Sequence, residues 1–216
     1  MAYWQGLVTG AAVTIAAVTL VAATKPQKFG TIDVERINVR EPDGTLRLVI
    51  ASKGRFPGAF YKGDEIARPD RAFAAGMLML NDEGTESGGL IWAGKKDGDN
   101  LNAGASLTFD RFENDQTLQL LQTDSGNRDS AALIISDRPA GSMFAKVDGK
   151  AVMRTDGEPG AARLFVGKSR DKASVVMLQD ATGKPRLMLK VAPDGGAAID
   201  FLDDKGKVVK TIGPAS

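Results

Sequence analysis

An all-β fold, built from repeated hairpins behind one apolar N-terminal segment, is what this sequence predicts. Three observations carry the prediction. Apolar and polar residues alternate with period two from about Gly30 onward, which suits a half-buried strand and not a helix. The same turn grammar recurs at EPDGT, DATGK and DDKGK, where glycine supplies the positive φ that tight hairpin turns require. Glycine is also abundant, 25 of 216 residues, or about 12% against roughly 7% in average usage, and most of it falls between the alternating runs.

The stretch Ile37–Ser52, INVREPDGTLRLVIAS, sets the pattern. Asp43-Gly44 reads as a two-residue hairpin turn. On the returning strand Leu46, Leu48 and Ile50 alternate with Arg47 and Val49, so the first three are expected on the more apolar face.

Composition removes several classes of function. The chain has no cysteine and no histidine, so a disulfide framework, a thiolate nucleophile, a Cys/His zinc site and a Ser-His triad are all impossible within it. Lys+Arg 28 balance Asp+Glu 27 for a net charge of +1. No basic cluster stands out, and only two tryptophans are present, so a nucleic-acid partner is not expected.

Taken in order, the chain begins with LVTGAAVTIAAVTLVAAT at Leu7–Thr24, without a charge. As a helix it would extend about 27 Å, close to the ~30 Å hydrocarbon core. Tyr3 and Trp4 precede it and Lys25 and Lys28 follow, where interfacial anchors belong. Residues 1–28 are therefore expected to form a single-pass transmembrane anchor. A cleaved secretory signal is the rival, disfavoured by the missing Lys/Arg n-region. Gly6, Gly10 and Thr14 fall four apart, the small-residue row through which membrane helices pack closely; such residues are also common in any weakly apolar anchor. Lys25 and Lys28 favour a cytoplasmic domain, whereas the short N-terminal tail before a long cysteine-free β domain favours export. Export to the periplasmic side of a bacterial inner membrane is the expectation.

A β-hairpin domain is expected over 29–158 and a β-meander over 159–216, packed on it, with the boundary at Glu158-Pro159-Gly160. Ile32 and Val34 differ in parity from Ile37 and Val39, so a bulge or break is expected near Glu35-Arg36. The connection 53–76, GRFPGAFYKGDEIARPDRAFAAG in its main part, is long enough to be functional or to cover part of the sheet. A second hairpin is expected around Asp82–Gly89. Ala105, Leu107 and Phe109 are expected inward, with Trp92 and Phe109 in the core. NDQTLQLLQT reads as a strand or a short helix capped by Asn114. Asp148-Gly149 joins two further strands. In the meander Leu187, Leu189 and Val191 face one way and Ala197, Ile199 and Phe201 continue that face. A sandwich, a barrel or a prism-like stack of hairpins would accommodate this pattern.

The phrases ERINVREPDGTLRLVIASKGRFPG, NDEGTESGGLIWAG, SLTFDRFENDQ and SDRP resemble, in this order, an uncharacterised group of bacterial proteins with an N-terminal hydrophobic segment. The similarity spans about Glu35 to Pro139. It implies a bacterial origin and a shared architecture, and no particular activity.

Candidate chemistry is sparse. Asp82, Glu83 and Glu86, and again Asp97 and Asp99, are oxygen ligands on glycine-bearing turns that could suit Ca²⁺, but Asp, Asn and Gly are also ordinary turn residues. Asp110, Glu113 and Asp115 could supply paired carboxylates for work on a glycan, with a solvated acidic turn as the simpler reading. GTESGG lacks the Lys-Ser/Thr of a phosphate-binding loop. No cofactor, metal or catalytic residue is expected. The reading is a non-enzymatic membrane-anchored accessory subunit, packed on a larger membrane assembly or on copies of itself. The alternative is an envelope binding module or hydrolase, acting on a glycan, peptide or cation through loop 55–76 and the acidic turns.

Overall fold

The computed structural model describes residues 28–157 and 159–214, and the chain divides into two units, Met1–Val34 and Glu35–Ser216. In the first, residues 28–34 are exposed and carry no strand or helix. The parity change near Glu35-Arg36 is thus a break, since pairing begins at Arg36. Among the described residues no helix is long and apolar enough to cross a membrane. The span expected at 7–24, with Gly6, Gly10 and Thr14, lies outside them.

The second unit is all-β. Its described residues form sixteen strands: β1 (Arg36–Arg40), β2 (Leu46–Ala51), β3 (Ala59–Tyr61), β4 (Asp64–Ile66), β5 (Ala75–Leu80), β6 (Glu86–Asp97), β7 (Asn100–Asp110), β8 (Gln116–Asp124), β9 (Ser130–Asp137), β10 (Phe144–Val147), β11 (Lys150–Met153), β12 (Ala161–Lys168), β13 (Ser174–Gln179), β14 (Pro185–Val191), β15 (Ala197–Leu202) and β16 (Val208–Ile212). Twelve make one antiparallel sheet in the order β1-β2-β5-β6-β7-β8-β9-β12-β13-β14-β15-β16, while β3-β4 and β10-β11 are separate hairpins. NDQTLQLLQT is strand β8, not a helix. Strand β12 pairs with β9, so one sheet runs through both sides of Glu158-Pro159-Gly160.

The recurrent turn grammar has one structural form. At the first turn Glu41 N–H donates to the Thr45 carbonyl at 2.9 Å and Gly44 N–H to the Glu41 carbonyl at 2.9 Å, with Gly44 at φ +93°. This is a three-residue loop closed by a left-handed glycine, and not the two-residue turn expected. The same pair of bonds recurs at 81–85, 111–115, 169–173, 180–184, 192–196 and 203–207. Asp148-Gly149, by contrast, is a two-residue turn between Val147 and Lys150, both residues having positive φ, as the sequence predicts.

Bulges follow a rule. Every strand leaving the end of the sheet that carries the 41–45 turn has one extra residue near its start: Arg47, Ser87, Thr117, Arg163, Arg186 and Val209. A bulge increases local twist and reverses the side-chain alternation beyond it. That reversal overturns the expected facing of β2. Leu46 pairs with Arg40, across the bulge from Leu48, and is buried beside Val49. Val49 is 0% exposed, whereas Ile50 is 40% exposed.

The core lies on the Val49 face, beneath the two excursions. From the 52–74 connection Phe60 packs on Leu46, Val49, Ala51, Leu78 and Leu80. Burying each such aliphatic side chain is worth about 1.5–3 kcal/mol. A second cluster of Ala59, Tyr61 and Phe144, with Ile66, Met143 and Met153 against it, joins the small hairpins, and the Tyr61 and Phe144 rings stack 5.2 Å apart. Asn114 is a tie here and not a helix cap: its amide donates to the Pro139 and Gly141 carbonyls at 3.1 and 2.9 Å. Met143 N–H also donates to the Glu113 carbonyl at 2.8 Å.

Candidate functional site

Strand register assigns every residue to one of the two faces of the large sheet, because paired residues point the same way. On the face opposite the core, one rung from each strand forms a continuous ladder. From β1 to β8 the rungs are Ile37, Ile50, Met77, Leu90, Leu107 and Leu120. From β9 to β16 they are Leu133, Val166, Val176, Leu189, Ile199 and Ile212. All twelve are aliphatic or Met, and none is buried. A parallel ladder starts at Val39, Leu48 and Met79, continues through Gly88, Phe109 and Leu118, then Ile135, Leu164 and Leu178, and ends at Leu187, Phe201 and Lys210. Lys210, on the outermost strand, is its only charged rung.

This face departs from the inward packing expected at Ala105, Leu107 and Phe109. Trp92 is 47% exposed and Phe109 48%, so neither is a core residue. The expected alignment of Leu187, Leu189 and Val191 with Phe201, Ile199 and Ala197 does hold, rung for rung. Shallow troughs interrupt the face. One of about 640 Å³ lies among Val166, Val176, Leu189, Ile199 and Ile212, and one of about 390 Å³ among Leu90, Leu107, Leu120 and Ala131. Isolated exposed apolar residues are ordinary on a soluble surface, but a contiguous strip of this extent marks a contact surface.

The second cluster that could support chemistry lies on the core face, in a cavity of about 30 Å³ lined by Arg68, Arg71, Glu86, Asp110, Asn114 and Asp115 among others. Arg71 grips Glu86 with both guanidinium nitrogens, at 2.7 and 3.0 Å, and donates to the Gly58 carbonyl at 3.0 Å. Arg138 pairs with Asp115 at 3.3 Å. Asp110 Oδ1 is buried without a hydrogen-bond partner. Burial, and then the charges of Glu86 and Asp115, push the Asp110 carboxyl up to about 7 despite Arg71 and Arg138.

Asp110 therefore makes stability depend on pH. Its folded-state value lies above the unfolded 3.8, so the folded state binds the extra proton between those limits. The cost of ionisation is absent below about pH 4, grows as pH rises toward 7, and is complete above it. Asp110→Asn should remove that cost. The variant is expected to gain up to about 4 kcal/mol over the wild type at pH 8, at about 1.4 kcal/mol per pKa unit, and to lose most of this advantage by pH 5. Denaturant titrations at the two pH values measure it; an advantage independent of pH would contradict the assignment.

The acidic turns expected as weak calcium candidates are engaged elsewhere. Asp82 pairs with Arg47, Glu83 faces Lys62 at 3.9 Å, Asp97 faces Lys95 at 3.5 Å, and Glu86 points from its strand into the core-side cavity, away from the other two. Asp99 is exposed on the β6–β7 turn. Among the described residues no group of three or more carboxylates is arranged to hold a metal ion. Of the candidate acid/base set, Asp110 and Asp115 meet at the cavity, while Glu113, its side chain only 14% exposed, pairs with Lys62 at 3.2 Å.

Sequence reasoning did not reach the ladder as a surface. Its signal was present in the period-two runs, but alternation alone does not say which of the two faces the excursions cover. No family model matches this sequence and no curated protein matches it, so the functional reading rests on the site itself.

Proposed function

We propose that this chain is a non-enzymatic, membrane-anchored subunit of a bacterial envelope assembly, held by residues 7–24 with its β domain exported, and that the domain packs on its assembly through the apolar ladder face. The observation that carries the reading is that face: twelve consecutive strands each present an aliphatic or Met rung that nothing among the described residues buries. A contiguous apolar face of this extent is characteristic of a surface that packs on a partner.

The hydrolase or binding-module alternative draws less support. Its loop is occupied in packing: Phe60 and Tyr61 are core residues and Arg71 is tied to Glu86.

The tether is tested on the full chain. Alkaline carbonate washing should leave it in the membrane pellet, and Gly6→Leu with Gly10→Leu should leave insertion intact while loosening helix association. Release of the wild type by carbonate would contradict the anchor.

A further inference from the structure

The apolar face has dimensions that narrow what covers it. Twelve strands spaced about 4.8 Å apart make each ladder roughly 53 Å long, and neighbouring ladders on one face lie about 7 Å apart. With side-chain reach the strip is on the order of 750 Å² per copy, about the half-interface of a standard-size protein complex. A covering partner must present apolar side chains along the whole of that length. One surface certain to offer rungs at the same spacing and twist is the same face of another copy, and paired sheets interdigitate at about 10 Å.

Charge agrees with self-pairing. The chain carries 28 basic and 27 acidic residues, so two copies meet without strong net repulsion. In the row beside the main ladder, Ala75, Ala105, Ala131, Ser174 and Ala197 alternate with Trp92, Gln122, Lys168 and Val191, so small and large side chains there can interdigitate with those of a second sheet. The open edges are protected instead: β1 carries Arg36 and Arg40, and β16 is flanked by Lys207 and carries Lys210. Such charges discourage edge-to-edge growth.

We infer that the ladder face is an isologous interface, closed by the ladder face of a second copy of this chain to make a two-sheet sandwich between subunits. The inference rests on the assembly reading above and adds the identity of the partner. In a closed twofold pair the same patch meets itself. If the twofold axis lies between the sheets and passes the middle of the ladder, the central rungs Leu120 and Leu133 face Leu120 or Leu133 of the other copy in either in-plane orientation.

The absence of cysteine from the chain makes the test specific. Leu120→Cys, Leu133→Cys and, on the opposite face of β8, Gln119→Cys are placed singly in the full chain. Each is treated in isolated membranes with a short bismaleimide. The expected result is a product of twice the chain's mass from Leu120→Cys and Leu133→Cys, with several-fold less from Gln119→Cys. Equal product from all three would overturn the inference as collision. A product with a different chain, or protection from a water-soluble maleimide without any product, would overturn self-pairing and leave the assembly reading standing. No product together with free labelling of Leu120→Cys would overturn both.

Discussion

Leu107→Lys with Leu120→Lys should dissociate the assembly while leaving the fold of the chain intact. The two rungs are neighbours on β7 and β8, near the middle of the ladder. In the separate chain Leu120 is 48% exposed and Leu107 is partly exposed, so lysines there can keep their ammonium groups in water. Substitution at such positions changes stability by about 0.5 kcal/mol or less. Inside a closed interface the same lysines lose about 1.5–3 kcal/mol of apolar burial each and gain the desolvation cost of an unpaired charge, several kcal/mol more. Together they should weaken association by at least about a thousandfold, since each 1.4 kcal/mol is a factor of ten. Sedimentation of the full chain in mild detergent should show loss of the larger species, with the unfolding midpoint nearly unchanged. Thr108→Lys with Gln119→Lys, on the opposite face of the same strands, should leave the larger species in place. If the Leu107/Leu120 variant assembles as the wild type does, the ladder is not the docking surface.

Arg71→Ala should cost the fold about 3–5 kcal/mol, the usual result of removing one partner of a buried ion pair. The side chains of Arg71 and Glu86 are only 15% and 11% exposed. Arg71 also donates to the Gly58 carbonyl within the 52–74 excursion, and its pair with Glu86 of β6 ties that excursion to the sheet. Without it the Glu86 carboxylate stays buried beside Asp110 and has lost its counter-charge. Replacing the pair, Arg71→Met with Glu86→Leu, should recover most of the loss, because well-packed apolar side chains commonly match a buried pair in stability. Denaturant unfolding of the three proteins at pH 7 gives the comparison. A single-variant loss below about 1 kcal/mol would mean that the bidentate contact contributes no more than a surface pair.

Much of the fold was legible in local chemistry. Gly44, Gly183 and Gly206 mark turns because glycine takes the positive φ of this loop without strain, although Lys172 takes it at 169–173, and the runs between them alternate as strands must. The anchor expected at 7–24 remains an expectation from its uncharged length. What alternation could not deliver was sidedness. The extra residue at Arg47 moves Leu46 from the Leu48 face to the Val49 face, and nothing in LRLVIA distinguishes a bulged strand from a regular one. Nor could local pattern foresee where the excursions land. Phe60 and Phe144 are brought to the same face by connections leaving opposite ends of the sheet, so Val49 becomes core while Trp92 and Phe109 remain on the open face.

The buried charges were hidden for a related reason. Glu86 follows the turn at 81–85 and reads as one more acidic turn residue, yet the bulge at Ser87 directs it to the core face opposite Leu80. Asp110 closes β7 in a phrase, FDRFEND, that reads as a solvated acidic turn. Its neighbour across the ladder, Gln116, is likewise at a bulge, so sequence spacing alone misassigns both.

Coverage of the ladder face in the native membrane is what the proposed assembly requires. Its most direct test is the rate at which a water-soluble maleimide labels Leu120→Cys in isolated membranes, measured against Gln119→Cys on the same strand and against both after denaturation. The expected result is strong protection of Leu120→Cys despite its 48% exposure in the single chain, with Gln119→Cys, at a half-buried position, labelled faster and the difference abolished by denaturant. Labelling of Leu120→Cys as fast as in the denatured chain would contradict that coverage.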